Sequence, residues 1–209
     1  MARYRLTERH IRTALDAAGA VDADVARAVA AVGYPEPRRR PQGFETLLRV
    51  IVGQQVSIHA AASIYGRLMD ALGEDRSPAR LLRLRETTLK KAGLSRPKVR
   101  YARELSRALV DGTLDLEALP TLGDEDAMAQ IQAVPGFGLW SAQIYVMFSL
   151  GRTDVWPKAD VGLLNGLQKI KRLQERPSPA EGDALVEVLR PHRSAVALLA
   201  WKCAHSPAL

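Results

Sequence analysis

The feature of this sequence best suited to chemistry is a carboxylate close to several aromatic side chains. Asp160 follows Trp156 and Pro157 and stands where a new helix is expected to begin. Five of the eleven aromatic residues lie between positions 137 and 156. A carboxylate beside aromatic rings can attract a flat cationic ligand through its own charge and through the negative faces of the rings. An aspartate at this position is also a common helix cap, so both interpretations stay open.

A glycine-rich turn precedes this carboxylate by about twenty residues. Gly136 and Gly138 are separated by one residue, directly before an apolar helical segment. Glycines allow a tight bend that a phosphate can approach closely. The N–H groups at the start of the following helix favour an anion there, and turn carbonyls can hold a cation. A turn of this kind between two helices is most often only a turn.

The elements that must position these residues are predicted to be helices throughout. Apolar residues recur at helical spacing, and alternating strand patterns of useful length are missing. A first helix begins at Thr7 and is expected to stop at Gly19, and a second runs from Asp22 or Asp24 to Gly33. Further helices are predicted over 44–52, 57–72, 77–83, 86–92, 96–110, 123–133, 138–150, 158–170, 178–190 and 193–204. The fold class is therefore all-α.

Composition excludes several classes of protein. The 209 residues are 47% apolar and 25% charged, as in ordinary globular proteins. Cys203, the single cysteine, rules out a disulfide framework and a protein-held iron–sulfur cluster. The four histidines lack the spacing of metal ligands. No apolar stretch is long enough to span a bilayer and the first residues are charged, so we expect a cytoplasmic protein.

Positive charge is concentrated in one segment. The net charge of the chain is +7, yet residues 76–107 hold eleven basic and two acidic residues, which leaves the remainder slightly acidic. A localised basic patch is typical of proteins that bind a polyanion, and nucleic acid is the leading candidate. A solvated arginine-rich face would have the same composition, so charge alone does not decide between the two.

Taken together, the motifs resemble those of the helix-hairpin-helix DNA glycosylases of base excision repair. The similarity is strongest to the bacterial 3-methyladenine DNA glycosylase II subfamily, the AlkA and Mag type. It covers roughly residues 20–205 in the family's order and spacing. The motifs that carry it are Gly53-Gln54-Gln55-Val56-Ser57, Val134-Pro135-Gly136-Phe137-Gly138-Leu139-Trp140-Ser141-Ala142, Pro157-Lys158-Ala159-Asp160-Val161-Gly162-Leu163, and Arg190-Pro191-His192-Arg193-Ser194-Ala195 followed by Trp201.

The resemblance implies two helical lobes with the active cleft between them. One lobe would comprise residues 37–151 and contain the helix-hairpin-helix motif. The other would combine residues 1–36 with residues 152–209 and carry the catalytic aspartate. The implied activity is that of a monomeric, monofunctional glycosylase in a bacterial nucleoid. It flips alkylated purines out of double-stranded DNA and hydrolyses the N-glycosidic bond, leaving an abasic site.

The same resemblance assigns roles to individual residues. Asp160 would be the catalytic carboxylate, and Gln55 would fill the gap left by the flipped nucleotide. Aromatic and apolar side chains would line the base pocket: Trp140, Trp201, Phe44 and Ile144. The DNA backbone would be held by Pro135, Gly136, Phe137 and Gly138, together with Lys98 and Arg100. No cofactor is required, although main-chain oxygens would hold a structural Na⁺ or K⁺, those of Gln132, Val134 and Gly136.

Two other functions remain open from the sequence. A catalytically silent module that recognises damaged DNA would share the basic patch and the hairpin. A bifunctional glycosylase/lyase would need a lysine in the hairpin helix, where this chain has Trp140. Lys158, two residues before Asp160, is the nearest lysine to the carboxylate, and we expect it to face solvent or a phosphate. A release assay on alkylated DNA separates the silent module from the enzyme.

Overall fold

A computed structural model of the protein describes residues 4–208, and within that range all regular structure is helical. This confirms the all-α prediction. Apart from one short 3₁₀ turn (Leu119–Thr121), the helices are α1 (Glu8–Val21), α2 (Ala23–Val32), α3 (Phe44–Gly53), α4 (Ile58–Leu72), α5 (Pro78–Arg83), α6 (Glu86–Lys91), α7 (Arg96–Val110), α8 (Asp124–Gln132), α9 (Leu139–Phe148), α10 (Val161–Lys171), α11 (Pro179–Glu187) and α12 (Arg193–Ala204).

The helix boundaries follow local sequence signals at most positions. Thr7, Ser57 and Ser178 each cap a helix by accepting a hydrogen bond from a main-chain N–H of its first turn. The predicted end of the first helix is wrong, because α1 does not stop at Gly19 but continues to Val21. Gly19 instead allows α2 to come close, since a Cβ there would lie 3.1 Å from the Cβ of Ala26.

The contacts divide the chain into two units. The first runs from Pro41 to Tyr145 and contains α3 to α8 and most of α9. Its core is built on α3, an apolar helix in which Leu47, Leu48 and Ile51 are fully buried. Burial of such side chains stabilises the unit by roughly 1.5–3 kcal/mol each.

The second unit combines the chain up to Arg40 with the chain from Val146 onward. It contains α1, α2 and α10 to α12. The most extensive contact between helices is that of α10 with α12, and nine of the twelve residues of α12 are buried. Gly166 makes that crossing possible, since a Cβ at this position would lie 1.8 Å from the carbonyl oxygen of Ala200.

No helix in the described part of the chain is long and apolar enough to cross a membrane. Residues 127–151, which lack charge altogether, are broken by the turn before α9. The α9 helix that follows is buried along its length from Ser141 to Phe148. The uncharged segment is therefore part of a protein core.

Candidate active site

The carboxylate of Asp160 is held by two hydrogen bonds in the second unit. Asp160 caps α10, and its Oδ1 accepts from the main-chain N–H of Leu163 at 2.8 Å. The same oxygen accepts from the indole Nε1–H of Trp201 at 2.9 Å. Both interpretations drawn from the sequence are therefore compatible, because the side chain is a helix cap and is also oriented by an aromatic residue from α12. The predicted helix start at 158 is corrected to Val161.

The loop that leads to Asp160 is tied to the start of α12. Arg193 donates to both carboxylate oxygens of Asp154, at 2.8 and 3.0 Å, and to its main-chain oxygen at 2.9 Å. The hydroxyl of Ser194 accepts from the N–H of Val155 at 2.8 Å and donates to the carbonyl of Arg152 at 2.8 Å. The first turn of α12 thus anchors the loop, and Trp201, two turns later in the same helix, donates to the Asp160 carboxylate at the end of that loop.

Small residues keep the surroundings of the carboxylate open. Gly162 is the second residue of α10, and a Cβ there would lie 3.3 Å from Asp160 Oδ1 and 3.6 Å from Trp201 Cδ1. The distance to Asp160 Oδ1 is shorter than an ordinary van der Waals contact, whereas the distance to Trp201 Cδ1 is an ordinary one. A larger side chain at position 162 would therefore press on Asp160 and Trp201, the two residues joined by the hydrogen bond.

Lys158 forms an ion pair with a neighbouring carboxylate in the second unit. Its ammonium group pairs with Asp183 of α11 at 3.4 Å, and both side chains are partly exposed. The sequence predicts that Lys158 faces solvent or a phosphate. The structure adds a carboxylate partner within the same unit.

The hairpin predicted to bind DNA lies in the first unit, between the end of α8 and the start of α9. Gly136 has a φ of +99°, in the range that favours glycine. Tyr101 of α7 packs directly beneath it, since a Cβ on Gly136 would lie 2.4 Å from the Tyr101 ring. The side-chain amide of Gln54 donates to the carbonyl of Gly136 at 2.8 Å. The turn is therefore held from two sides.

The hairpin residues differ in what they expose. Pro135 and Gly138 are exposed, whereas the Phe137 ring is 5% exposed and packs in the core. Any contact of Phe137 with DNA would therefore be through its main chain. The N–H of Phe137 donates to the carbonyl of Val134 at 3.2 Å, which closes the turn.

The main-chain oxygens predicted to hold a cation have the right chemistry for it. Carbonyl oxygens are the donors that hard cations prefer. The oxygen of Gly136 already accepts from Gln54, and that of Val134 accepts from Phe137. Each carbonyl has a second lone pair, so both could also face an ion. Among the described side chains, no group of three or more histidine, cysteine or acidic residues could hold a metal.

Gln55 has an unusual backbone conformation. It lies between α3 and α4 with a φ of +55°, one of two non-glycine residues of the described chain with positive φ. Such a conformation costs about 1–3 kcal/mol unless the surroundings enforce it, and it clusters at functional positions. The Gln55 side chain is exposed. The residue predicted to enter the duplex is thus held in a strained, outward-facing turn.

The prediction for Lys98 does not fit its placement. Lys98 is 9% exposed, and its ammonium group donates to the carbonyl of Val52 at 2.7 Å, at the C-terminal end of α3. Burial lowers its pKa. A cation at this helix end is favourable because the last carbonyls carry partial negative charge. Lys98 is therefore a structural residue of the first unit and not a phosphate ligand.

Arg100, the other predicted phosphate ligand of α7, is exposed. Its guanidinium lies 5.1 Å from the centre of the Tyr101 ring. Because Tyr101 also supports Gly136, Arg100 and the hairpin share one aromatic side chain. A surface cavity of about 460 Å³ lies against this face of α7 and is lined by Arg96, Arg100 and Arg103 among others. The basic face is thus continuous with the supports of the hairpin.

The four predicted pocket residues are divided between the units. Trp140, at the start of α9, is 37% exposed. Phe44 and Ile144 are 8% and 4% exposed within the first unit. Trp201 belongs to the second unit, is 7% exposed and donates a hydrogen bond to Asp160. Within a unit, the structure therefore brings the carboxylate together with Trp201.

Sequence reasoning missed three contacts that shape the site. Gln54 belongs to the Gly53–Ser57 motif, but a glutamine at this position does not by itself predict a hydrogen bond to the carbonyl of Gly136, 82 residues away. Tyr101 lies in the basic segment without a signal of its own. Arg38 lies over the Trp201 ring at 5.6 Å, and nothing in the sequence relates these two distant positions.

Comparison with known proteins identifies the class. Residues 48–191 match the HhH-GPD superfamily of base excision DNA repair proteins, and this chain belongs to that family. DNA-3-methyladenine glycosylase 1 of Schizosaccharomyces pombe is 26% identical over 188 residues, covering 87% of this chain and 82% of that protein. The protein YfjP of Bacillus subtilis is 29% identical over 166 residues, and the match spans 76% of this chain and 58% of YfjP.

Solved structures agree with the fold. A DNA-3-methyladenine glycosidase from Bacillus halodurans has a TM-score of 0.83 and 29% identity, covering 92% of this chain and 89% of that chain. Mag1 of Schizosaccharomyces pombe, solved in complex with abasic DNA, has a TM-score of 0.87 and 24% identity over 94% of this chain and 98% of that one. The helical architecture is therefore the HhH-GPD glycosylase fold.

Proposed function

We propose that the protein is a DNA glycosylase that removes alkylated purines of the 3-methyladenine type. The observation that carries this proposal is the orientation of Asp160 by Leu163 and Trp201 in a chain of the HhH-GPD family. Relatives from two kingdoms that match most of this chain are named DNA-3-methyladenine glycosylases. The substrate is double-stranded DNA that contains alkylated bases.

DNA binding rests on the first unit. The exposed turn at Pro135 and Gly138 presents main-chain groups to a phosphate, and Arg100 adds a cation on the same aromatic support. Gln55, held with positive φ, would occupy the space of an extruded nucleotide. Extrusion costs a few kcal/mol, which the phosphate contacts and the inserted side chain must offset. We infer that the protein works as a monomer in the bacterial nucleoid.

The chemistry rests on the charge of Asp160. Alkylation of a purine ring nitrogen leaves the base cationic and weakens the glycosidic bond. As the base departs, positive charge develops on the sugar, and a fixed carboxylate stabilises it and helps to position water. Two hydrogen bonds to Oδ1 keep the carboxylate from rotating, so little reorganisation is needed when the charge appears.

The product is an intact abasic strand. Strand cleavage by β-elimination needs an amine that attacks the sugar carbon and forms an imine. Trp140 stands where the hairpin helix of a lyase would carry its lysine, and Lys158 is paired with Asp183. We therefore assign a monofunctional mechanism of the 3-methyladenine DNA glycosylase II type.

A monovalent cation completes the hairpin in this proposal. The main-chain oxygens of Gln132, Val134 and Gly136 would hold Na⁺ or K⁺, and Gln54 would fix one of these carbonyls. When bound, the ion adds positive charge facing the DNA backbone. No cofactor takes part in bond cleavage.

Base release from randomly methylated DNA tests the function. The wild-type protein is expected to release free methylated purines, and Asp160→Asn should reduce release by at least a hundredfold while binding to the same DNA is kept. Asparagine preserves the shape and both acceptor contacts of the side chain but not its charge. Binding without release by the wild-type protein would favour the silent damage-recognising module instead.

A further inference from the structure

The ring of Trp201 is covered on the sides where a base could stack. Phe148 lies 5.7 Å away between ring centroids, tilted by 38°, and the Arg38 guanidinium lies 5.6 Å from the ring centre. Trp201 is consequently only 7% exposed. A nucleobase that stacks on Trp201 has to displace one of these two neighbours or insert beside it.

Arg38 is the neighbour that can move. Phe148 is 3% exposed and belongs to α9, whereas Arg38 is exposed and lies in the connector between α2 and α3. In the described part of the chain Arg38 makes no ion pair. Its guanidinium contacts the Trp201 ring instead. Such a contact at an exposed site is weak enough for a ligand to replace.

A cavity of about 510 Å³ opens beside these two residues. It lies within the second unit and falls in the size range of small-molecule sites. Its charged lining is mainly positive, with Arg38 and Lys202 against Glu36. The ammonium group of Lys202 is fixed by a 2.8 Å hydrogen bond to the carbonyl of Tyr34. Arg38 is thus the positive charge of this cavity that is both exposed and in contact with the indole.

We propose that Arg38 determines specificity by discriminating between charged and uncharged damaged bases at Trp201. This inference rests on the proposed function, which places Trp201 in the base pocket. An uncharged purine can lie between the indole and the guanidinium, because a guanidinium stacks well on a neutral ring. A cationic purine in the same place meets a like charge at contact distance and competes with Arg38 for the same face. Arg38 therefore lowers the preference of the protein for cationic bases relative to uncharged ones.

Equilibrium dialysis with two nucleosides tests this directly. The probes are 1-methyladenosine, which is cationic at neutral pH, and inosine, which is uncharged. Arg38→Gln is expected to raise the affinity for 1-methyladenosine relative to inosine by about two- to fivefold, the range of an exposed cation–π contact. Arg39→Gln is the matched control, since Arg39 is an exposed neighbour that lies over Tyr4 at 4.9 Å.

Three outcomes overturn the proposal. The first is an unchanged affinity ratio in Arg38→Gln. The second is an equal change in Arg39→Gln, which would show a general effect of net charge. The third is a failure of all three proteins to bind either nucleoside, which would show that Trp201 does not face a nucleobase site.

Base release gives a second readout. Duplexes with a single 7-methylguanine, which is cationic, or a single hypoxanthine, which is uncharged, are compared at equal protein concentration. Arg38→Gln should raise the ratio of 7-methylguanine to hypoxanthine release by a similar factor, and Arg39→Gln should leave it unchanged. If the wild-type protein releases neither base, the glycosylase proposal fails, while the dialysis still decides the role of Arg38.

Discussion

Gly166 of α10 approaches the main chain of Ala200 in α12 so closely that a Cβ on the glycine would lie 1.8 Å from the carbonyl oxygen. Ala200 precedes Trp201, and Gly166 lies in the helix that Asp160 caps. The missing side chain therefore sets the separation of the two helices whose residues form the Asp160–Trp201 hydrogen bond. The packing of this helix pair and the geometry of the Asp160–Trp201 hydrogen bond depend on the same contact.

Gly166→Ala is expected to destabilise the protein. The added methyl group meets backbone, which cannot move aside as a flexible side chain would, so α10 and α12 must separate. Overpacking of this kind costs about 1–3 kcal/mol or more, which corresponds to a fall of roughly 2–12 °C in melting temperature for a chain of this size. Gly66→Ala in α4 is the control, because a Cβ there meets nothing within 4 Å. Thermal melts of equal loss in both variants would contradict this assignment.

Trp201→Phe should lower turnover more than it lowers stability. The substitution keeps an aromatic ring but removes the N–H that donates to Asp160. Hydrogen bonds to charged groups contribute about 1.5–3 kcal/mol, so kcat should fall by about 10- to 100-fold. Because Trp201 acts through Asp160, the substitution should have no further effect in an Asp160→Asn background. Steady-state kinetics with a melting curve checks this, and a change confined to KM would argue against a positioning role.

Lys98 and Arg100 should respond differently to substitution. Arg100→Gln is expected to reduce the slope of log affinity against log salt by about one unit, since one phosphate contact is lost. Lys98→Met should leave that slope unchanged and lower the melting temperature, because it leaves the carbonyl of Val52 without its donor. Binding to a DNA duplex at several salt concentrations separates the two. An equal change of slope in both variants would restore Lys98 as a phosphate ligand.

Borohydride trapping should leave no covalent protein–DNA adduct. The Lys158 ammonium is paired with Asp183 of α11, and Trp140 has no amine to form an imine. The DNA product should therefore resist breakage until it is treated with alkali. An adduct that disappears in Lys158→Ala would show that the protein is a lyase.

Cys203 should report global unfolding. Burial raises the pKa of its thiol to about 11 from an ordinary value of 9.0, so little thiolate exists at pH 8. Alkylation by iodoacetamide at that pH should be slow in the folded protein and fast in denaturant. The unfolded state loses the thiol proton first, so this residue's contribution to stability should decline as the pH rises from about 9 to about 11. Rapid labelling of the folded protein would show that the residue is accessible.

Local sequence determined most of the helices and the chemistry of the carboxylate. Caps such as Ser57 and Asp160 and the spacing of apolar residues act within a few positions of the chain, so their effect can be read directly. The glycine-rich turn before α9 can be predicted from the sequence for the same reason, because its conformation depends on residue type.

Only the tertiary structure decided which residues meet. Whether Lys98 would bind a phosphate or the carbonyl of Val52 depends on a partner 46 residues away, and charge alone favours the wrong answer. Likewise, Trp201 becomes a donor to Asp160 because Gly166 lets two helices close, and Arg38 lies over that indole because the connector passes there. Residue type states what a side chain can bind, whereas packing between distant segments decides what it does bind.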